Sequence, residues 1–318
     1  MKLKEITIEI TQCCPNNCIY CSSLSSLNKK TFLSFNEIKK IIDDALLFDV
    51  EMISLSGGEP FLHSDLINIV RYIHEKGLRC NIYTSGIYHN GVSFDAIPES
   101  TLTAIQKLAD KLIFNIEAAN DSLYELIMGI KGGFELMKTS ILRTLQYGFI
   151  VESHTVLMKC NLDHLSEIMD FGRSMGISKM SFLRLVMQGR ALENKSLTYL
   201  SDEDIRTAKE LIREISDEYN SDIRFGIPLS ECTKRINCMT GIMKLNIRYD
   251  GNVYPCEAFK NDSFSNISDL KPGNIKIERL KNIYENSPYL NEIRNHLLDF
   301  QQFDTCETCM SQYYIKNN

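Results

Sequence analysis

The stretch Cys14-Pro15-Asn16-Asn17-Cys18-Ile19-Tyr20-Cys21 carries three cysteines at the spacing CxxxCxxC. It directly follows a strand-like alternation of isoleucines at positions 6, 8 and 10. Thiolates are soft ligands that suit iron–sulfur clusters or zinc, and cysteines this close on one loop can hold several metals at once. Three ligands on a cluster of four irons leave one iron open to a second molecule. A zinc site is the alternative, and it needs a fourth ligand from elsewhere in the chain.

A second motif, Gly57-Gly58-Glu59-Pro60, follows a strand-like run from Met52 to Ser56. Two glycines let the backbone approach a ligand closely because they carry no Cβ atom. Exposed carbonyls and one carboxylate suit an ammonium group. Alone, the motif also fits an ordinary turn. Together with the CxxxCxxC loop one strand upstream, it resembles the radical S-adenosylmethionine (SAM) superfamily.

The resemblance implies cofactors and residue roles. Three cysteines hold a [4Fe-4S] cluster, and the methionine part of SAM chelates its open iron. The GGEP segment binds the SAM amino group, and the aromatic residue before the third cysteine packs near the adenine. Polar residues at the end of the fourth strand and two residues of the sixth strand complete the SAM site. The cluster ligands expected are Cys14, Cys18 and Cys21, and the expected SAM contacts are Tyr20, Gly57, Gly58, Glu59, Asn115, Glu117, Arg184 and Leu185.

Two of these assignments have open alternatives. Glu117 is expected at the ribose hydroxyls, but a solvated loop carboxylate is equally compatible with its position. Relatives often carry an arginine for the SAM carboxylate after the fourth strand, and residues 127–131 contain none. Lys131 or Arg184 is therefore expected to take over that contact.

Composition and charge restrict the class of protein. The chain has 318 residues, of which 44% are hydrophobic and 24% charged, as in a soluble globular protein. A net charge of −6 gives no general attraction to nucleic acid or anionic membranes. We expect no membrane span and no signal peptide. An odd number of cysteines, eleven, argues against a secreted disulfide framework, so a cytoplasmic location is expected.

Strand and helix patterns alternate through the first two-thirds of the chain. The sequence Ser34-Phe35-Asn36-Glu37 predicts a capping box at the start of the first helix. Six β/α units in succession favour parallel strands with right-handed crossovers. The resemblance implies an α/β fold, namely a partial (β/α)6 TIM barrel with SAM at the carboxyl ends of the strands. This core is expected over residues 1–225, and an auxiliary-cluster domain of one β-hairpin plus helices over 226–318.

Four cysteines in the C-terminal part match the count of a closed cluster or a zinc site. They are Cys238, Cys256, Cys306 and Cys309. Their spacing resembles the SPASM/twitch extension of radical SAM enzymes, and the shorter twitch form with one auxiliary [4Fe-4S] cluster fits best. Cys232 competes for a place, as a ligand, a thiol near the substrate or a buried small side chain.

By resemblance, the chain is a radical SAM oxidoreductase that receives electrons from a flavodoxin- or ferredoxin-type donor. Reductive cleavage of SAM gives a 5′-deoxyadenosyl radical, which removes a hydrogen atom from the substrate. The auxiliary cluster then takes up the electron from the substrate radical. The expected substrate is a ribosomally made peptide, and the alternative is dehydrogenation of a small metabolite such as an amino sugar. A non-catalytic iron–sulfur or zinc protein is the hypothesis from a different class, and a SAM-binding GGEP motif argues against it.

Overall fold

A computed structural model describes residues 3–219, 223–225, 238–260, 270–301 and 309–311. Strands and helices alternate along most of this range. The strands are β1 Glu5–Thr11, β2 Met52–Gly57, β3 Arg79–Thr84, β4 Ile87–His89, β5 Phe94–Ala96, β6 Lys111–Asn115, β7 Ile150–Leu157, β8 Lys179–Arg184, β9 Ile223–Phe225, β10 Lys244–Ile247 and β11 Val253–Tyr254. The helices are α1 Phe35–Ala45, α2 Leu66–Glu75, α3 Glu99–Ile105, α4 Asp121–Met128, α5 Gly133–Gln146, α6 Leu165–Ser174, α7 Arg190–Glu193, α8 Lys195–Thr198, α9 Asp202–Tyr219, α10 Leu280–Asn286 and α11 Pro288–Phe300.

Most of the strands form one open sheet in the order β11-β10-β1-β2-β3-β6-β7-β8-β9. The six strands from β1 to β8 in this order are parallel neighbours, and β9 adds a parallel edge beside β8. Helices follow these strands and complete the β/α units. The fold is therefore the expected partial (β/α)6 barrel, whose six-strand core matches the sequence prediction in number and order.

The alternating pattern of β1 separates its two faces. Ile6, Ile8 and Ile10 are fully buried and join the same apolar cluster as the buried face of α1. The residues between them, including Glu9, belong to the other face of the strand, since side chains alternate along a strand. Such a polar inner face leaves the barrel interior available for a site.

The start of α1 confirms the predicted capping box. The Glu37 amide donates to the Ser34 hydroxyl oxygen, and the Ser34 amide donates to the Glu37 carboxylate at 2.7 Å. Both contacts satisfy backbone or side-chain groups that a helix start otherwise leaves open. This fixes the chain direction directly after the segment that carries the three cysteines.

The C-terminal β-hairpin is present, and it extends the barrel sheet. β10 and β11 pair in antiparallel fashion around Asp250-Gly251, with Gly251 at a φ of 94°. β10 also pairs in parallel with β1, aligning Lys244 with Glu5. The hairpin thus continues the core sheet through its first strand. The predicted domain boundary at 225/226 touches residues outside the described ranges and stays a prediction.

The small antiparallel hairpin β4–β5 was not predicted from the sequence. It lies in the stretch after β3. Its strands have only three residues each, too few for a period-two pattern to be recognised in the sequence.

Candidate active site

A cavity of about 270 Å³ lies at the carboxyl ends of the parallel strands. The ends of β2, β3, β6, β7 and β8 all contribute to its wall. Its wall includes the predicted residues Cys14, Cys18, Tyr20, Cys21, Gly57, Gly58, Asn115, Arg184 and Leu185. This is the end at which barrel enzymes carry their active sites. Three thiols on one loop that line the same cavity are a donor set that fits an iron–sulfur cluster with one open iron.

Two of the three thiols, those of Cys14 and Cys18, lie in surroundings that disfavour ionisation in the absence of bound metal. Burial raises the pKa of Cys14 well above its usual value, and the nearby Cys18 and Glu59 raise it further. Burial and Cys21 likewise raise the pKa of Cys18, while Arg190 acts in the opposite direction. Thiolates here need cationic partners, which iron ions supply on binding.

The two glycines of the GGEP motif allow β2 to approach the cysteine loop. A Cβ on Gly57 would lie 2.4 Å from the Thr11 carbonyl oxygen, and one on Gly58 would lie 2.1 Å from that of Cys13. The Gly58 amide donates to Thr11 O at 2.6 Å, and the Glu59 amide donates to Cys13 O at 2.8 Å. The motif thereby fixes the start of the cysteine loop against the end of β2.

The Glu59 carboxylate is turned into the protein. It accepts hydrogen bonds from the Ser85 amide and hydroxyl at 2.9 and 2.7 Å, from the Thr84 hydroxyl at 2.8 Å and from the Phe61 amide at 3.3 Å. These four bonds occupy all lone-pair positions of a carboxylate. Among the described residues that line the cavity, Gly57 and Gly58 are present and Glu59 is not. Its side chain joins the loops after β2 and β3.

Glu117 is a second predicted carboxylate whose hydrogen-bond partners are protein groups. Its carboxylate accepts a hydrogen bond from the Tyr20 hydroxyl at 2.7 Å and one from the Val156 amide at 2.7 Å. Burial raises the pKa of Glu117 to about 7, although the bonds from Tyr20, Val156 and Asn115 act against the rise. Glu117 is fully buried and is not part of the described cavity wall, whereas Asn115 and Tyr20 are.

Arg184 and Lys131, the two candidates for the contact with the SAM carboxylate, differ in their position relative to the cavity. Arg184, at the end of β8, lines the cavity together with Leu185. Lys131 is exposed between α4 and α5 and does not belong to the described cavity wall. The geometry therefore leaves Arg184 as the candidate for an anionic group bound in this cavity.

The C-terminal hairpin region forms the remaining wall. Glu257 and Lys260 line the cavity, and Glu257 pairs with Lys244 of β10 at 3.1 Å. The Gln188 side-chain amide, after β8, donates to the Glu257 carbonyl oxygen at 3.0 Å. Residues from both ends of the chain therefore enclose one space. The sequence had not indicated this contact because Glu257 and Lys260 lie beyond any recognised motif.

The C-terminal cysteines come together next to this wall. Cys256 directly precedes Glu257, and burial together with Glu257, Cys238 and Cys309 raises the pKa of its thiol. Burial also raises the pKa of Cys238 to about 11, and Cys309 contributes to that rise. Three of the four predicted auxiliary ligands are thus electrostatic neighbours. Cys306 and Cys232 lie outside the described residues.

Comparison with known proteins identifies the chain. The sequence model of the radical SAM superfamily matches residues 8–172, a little over half of the chain. This chain belongs to the radical SAM superfamily. An iron–sulfur cluster-binding domain model, SPASM, matches residues 238–310.

Individual radical SAM relatives cover most of the chain. It is 27% identical to the PqqA peptide cyclase of Ruegeria pomeroyi over 95% of this chain and 78% of that protein. It is 25% identical to the probable GTP 3′,8-cyclase of Methanococcus aeolicus over 80% of this chain and 85% of that protein. The crystal structure of Streptococcus suis SuiB bound to precursor peptide SuiA has the same fold, with a TM-score of 0.74 and 17% identity over 92% of this chain and 67% of SuiB.

The cofactors of this radical SAM enzyme are SAM and two [4Fe-4S] clusters, of which one is auxiliary. Among the described residues, no three Cys, His, Asp or Glu side chains are spaced to hold a single metal ion. In a [4Fe-4S] cluster each thiolate binds a different iron, so the ligands stand farther apart than around one ion. No helix in the described ranges has the length and apolar content needed to cross a membrane.

Proposed function

We propose that this radical SAM enzyme modifies a peptide and that the modification is an oxidation assisted by the auxiliary cluster. The observation that carries the proposal is the shared cavity wall. The loop of Cys14, Cys18 and Cys21 faces the same space as Glu257, the residue directly after Cys256. A substrate in this space is therefore within reach of SAM chemistry on one side and close to the auxiliary cysteines on the other.

The cofactors, when bound, supply a 5′-deoxyadenosyl radical that removes a substrate hydrogen atom and an acceptor for the electron left on the substrate. The chain supplies binding and orientation. In this proposal Cys14, Cys18 and Cys21 ligate the first cluster, and the Gly57-Gly58 backbone meets the SAM amino group. Arg184 neutralises the SAM carboxylate, since an arginine side chain is a strong partner for a carboxylate.

The remaining predicted residues divide into two groups. Tyr20, Asn115 and Leu185 line the cavity and are proposed to contact the adenosine part of SAM. Glu59 and Glu117 act indirectly, because their carboxylates already accept hydrogen bonds from protein donors. Their proposed role is to hold the loops that carry the SAM contacts.

The auxiliary site is proposed to use Cys238, Cys256, Cys306 and Cys309. A fully ligated cluster has no open iron for substrate, so its use here is electron transfer. A flavodoxin- or ferredoxin-type protein is proposed as the electron donor, and the cytoplasm as the compartment, since an oxygen-sensitive cluster requires a reducing environment.

A peptide substrate is supported by the relatives. The PqqA peptide cyclase matches 95% of this chain. SuiB, whose crystal structure contains a bound precursor peptide, has the same fold as this chain. The cavity wall also offers charges of both signs, from Arg184, Lys260 and Glu257, which suit a polar substrate. A small metabolite is the second candidate, because a relative named GTP 3′,8-cyclase matches 80% of the chain.

The substrate test compares the two classes directly. Anaerobically reconstituted enzyme is incubated with SAM, dithionite and one candidate substrate. The candidates are GTP and the peptides encoded by short genes next to the gene of this enzyme, and the formation of 5′-deoxyadenosine is measured for each. We expect a neighbouring peptide to accelerate product formation and to lose two hydrogen atoms by mass spectrometry. Acceleration by GTP with no change in any peptide contradicts the peptide assignment.

The auxiliary role is tested with Cys309→Ala. We expect this variant to retain cleavage of SAM to 5′-deoxyadenosine but to lose the oxidised product. Cys80→Ala, which alters a fully buried cysteine within β3, is the matched control and should keep both activities. If Cys309→Ala loses its auxiliary cluster and still forms oxidised product at the full rate, electron acceptance is the wrong role.

A further inference from the structure

The segment after β8 contacts the cysteine loop through one arginine. The Arg190 guanidinium donates from Nε to the Cys18 carbonyl oxygen at 2.7 Å. It also donates from Nη1 and Nη2 to the Ser25 carbonyl oxygen, each at 3.1 Å. One side chain thus fixes two points of the loop that lie on either side of Cys21. A planar guanidinium with donors in a fixed arrangement is suited to such a double contact.

The backbone beside Arg190 makes the approach possible. Gly189 has a φ of 57°, and a Cβ at this position would lie 2.5 Å from the Cys21 carbonyl oxygen. The Arg190 amide donates to that same oxygen at 3.1 Å. Only glycine allows both the left-handed backbone conformation and this close approach. The pair Gly189-Arg190 therefore docks directly on the third cysteine of the motif.

Other contacts hold the same loop without charge. The Asn194 side-chain amide donates to the Ile19 carbonyl oxygen at 3.2 Å. From the opposite side, the Asn17 and Ile19 amides donate to Met128 O at 3.0 Å and Ile127 O at 2.9 Å at the end of α4. The cysteine loop is therefore hydrogen-bonded both to the segment after β8 and to the end of α4. Arg190 adds a permanent positive charge to the segment after β8, since arginine stays protonated in proteins.

A fixed positive charge beside a redox centre has a defined effect. A [4Fe-4S] cluster gains one negative charge on reduction, and hydrogen bonds, net charge and burial around it set its potential. A cation in a partly buried position stabilises the reduced form more than the oxidised form. The effect requires the charge to stay close to the thiolates, which the hydrogen bonds to Cys18 and Ser25 ensure.

We propose that Arg190 is a positioning residue for the first cluster, which holds the ligand loop in its binding geometry and raises the reduction potential of the bound cluster. The proposal goes beyond substrate identity and concerns reduction of the first cluster, which SAM cleavage requires. It rests on the proposed assignment of Cys14, Cys18 and Cys21 as the cluster ligands. The experiment distinguishes failure of the Arg190 role from failure of that assignment.

The experiment compares Arg190→Gln and Arg190→Lys with the wild-type protein. Iron per chain, the midpoint potential of the cluster that responds to SAM in EPR spectra, and the rate of 5′-deoxyadenosine formation are measured. Asn194→Ala is the matched control, because it removes a neighbouring hydrogen bond to the loop without removing charge. Arg71→Gln in α2, an exposed arginine bonded to Asn68, is the control for loss of charge elsewhere.

We expect Arg190→Gln to shift the midpoint potential to more negative values, to bind less iron and to cleave SAM about tenfold more slowly, as loss of charge-assisted hydrogen bonds implies. Arg190→Lys should have a midpoint potential close to that of the wild type, because the charge is kept. It should bind less iron, because an ammonium group cannot donate to the Cys18 and Ser25 carbonyl oxygens in the same geometry. Asn194→Ala should lower iron content with no shift in potential. Arg71→Gln should match the wild type.

Two results overturn the proposal. One is an Arg190→Gln variant with the wild-type potential, and the other is an Asn194→Ala variant whose potential shifts as much. If Arg190→Gln does not fold, as circular dichroism will reveal, Arg190→Lys decides. An unchanged iron content in Arg190→Lys refutes the positioning role, and a midpoint potential clearly more negative than that of the wild type refutes the charge role. A wild-type protein without any SAM-responsive cluster refutes the ligand assignment itself.

Discussion

Lys260 and Glu9 form a buried ion pair although they are 251 positions apart in the chain. The Lys260 Nζ lies 2.5 Å from Glu9 Oε1, and the two side chains are 8% and 2% exposed. Lys260 also donates to the Ser23 hydroxyl oxygen at 3.1 Å, and Ser23 donates to Glu9. The pair fastens the C-terminal wall of the cavity to β1 and to the segment behind the cysteine loop.

Removal of one member of this pair should destabilise the protein strongly. Lys260→Met leaves the Glu9 carboxylate buried without its cation, and such a loss costs about 3–5 kcal/mol. The double variant Glu9→Gln/Lys260→Met should regain most of that free energy of unfolding, measured in urea under anaerobic conditions. A single variant as stable as the wild type would show that the ion pair does not contribute to holding the cavity wall.

The two cysteine sets should bind iron independently. Seven cysteines assigned to two clusters predict about eight irons per chain after anaerobic reconstitution. Replacement of Cys14, Cys18 and Cys21 by alanine should leave about four irons, held by the C-terminal set. Colorimetric iron analysis and Mössbauer spectra provide the measurement. Loss of all iron in the triple variant contradicts two independent clusters.

Gly57→Ala should abolish SAM binding. Gly57 has a φ of 128°, and its added Cβ would collide with the Thr11 backbone, so both strain and clash push the motif away from the cysteine loop. Strained backbone alone costs about 1–3 kcal/mol. Gly91→Ala is the matched control, because Gly91 has a φ of 96° and a Cβ added there would meet no atom within 4 Å. We expect this control to bind SAM like the wild type in calorimetry. Equal SAM affinity in both variants would argue against a role for the GGEP backbone.

His154 should make stability sensitive to acid. Its ring packs on Tyr83 with centroids 5.2 Å apart, and burial together with nearby Arg224 and Lys244 lowers its pKa to about 3. The unfolded chain binds a proton near pH 6.5, whereas the folded chain does not, so stability falls as the pH drops from about 6.5 towards 3.

One pH unit below the unfolded pKa, protonation of His154 in the unfolded chain lowers the free energy of unfolding by about 1.4 kcal/mol. His154→Gln should remove this effect, so the loss of stability between pH 7.5 and about 5.5 becomes smaller by that amount. His296→Gln, on the partly exposed surface of α11, is the matched histidine replacement. An unaltered pH profile in His154→Gln would mean that the ring binds a proton as readily in the folded protein as in the unfolded chain.

Sequence patterns predicted those features that depend on neighbours along the chain. The predicted capping box at Ser34 begins α1, and the strand-like run from Met52 to Ser56 lies within β2, since alternation and caps act within a few residues. The cysteine loop and the two glycines were recognisable because the chemistry demands those residue types at close spacing. The observed cavity is lined by the three cysteines of the first motif and by the two glycines of the second.

Glu59 and Arg190 mark the limit of such reasoning. The Glu59 carboxylate looked available to an ammonium group, but its partners Thr84 and Ser85 come from the end of another strand. Arg190 was not among the predicted site residues, because nothing in its local sequence indicates a contact with Cys18. Hydrogen-bond partners more than a hundred residues away leave no periodic trace in a single sequence.

By itself, the sequence determined the closely spaced thiols, the glycine motif and the succession of β/α units, because each is encoded by residue types at short, fixed spacing. Tertiary structure alone decided which carboxylates are already engaged, that β10 joins β1, and that Lys260 meets Glu9 to complete one cavity. Burial patterns specify that a face must be covered, but they do not name the residue that covers it. That choice follows from packing of the whole chain, where geometry and paired charges select one partner among many.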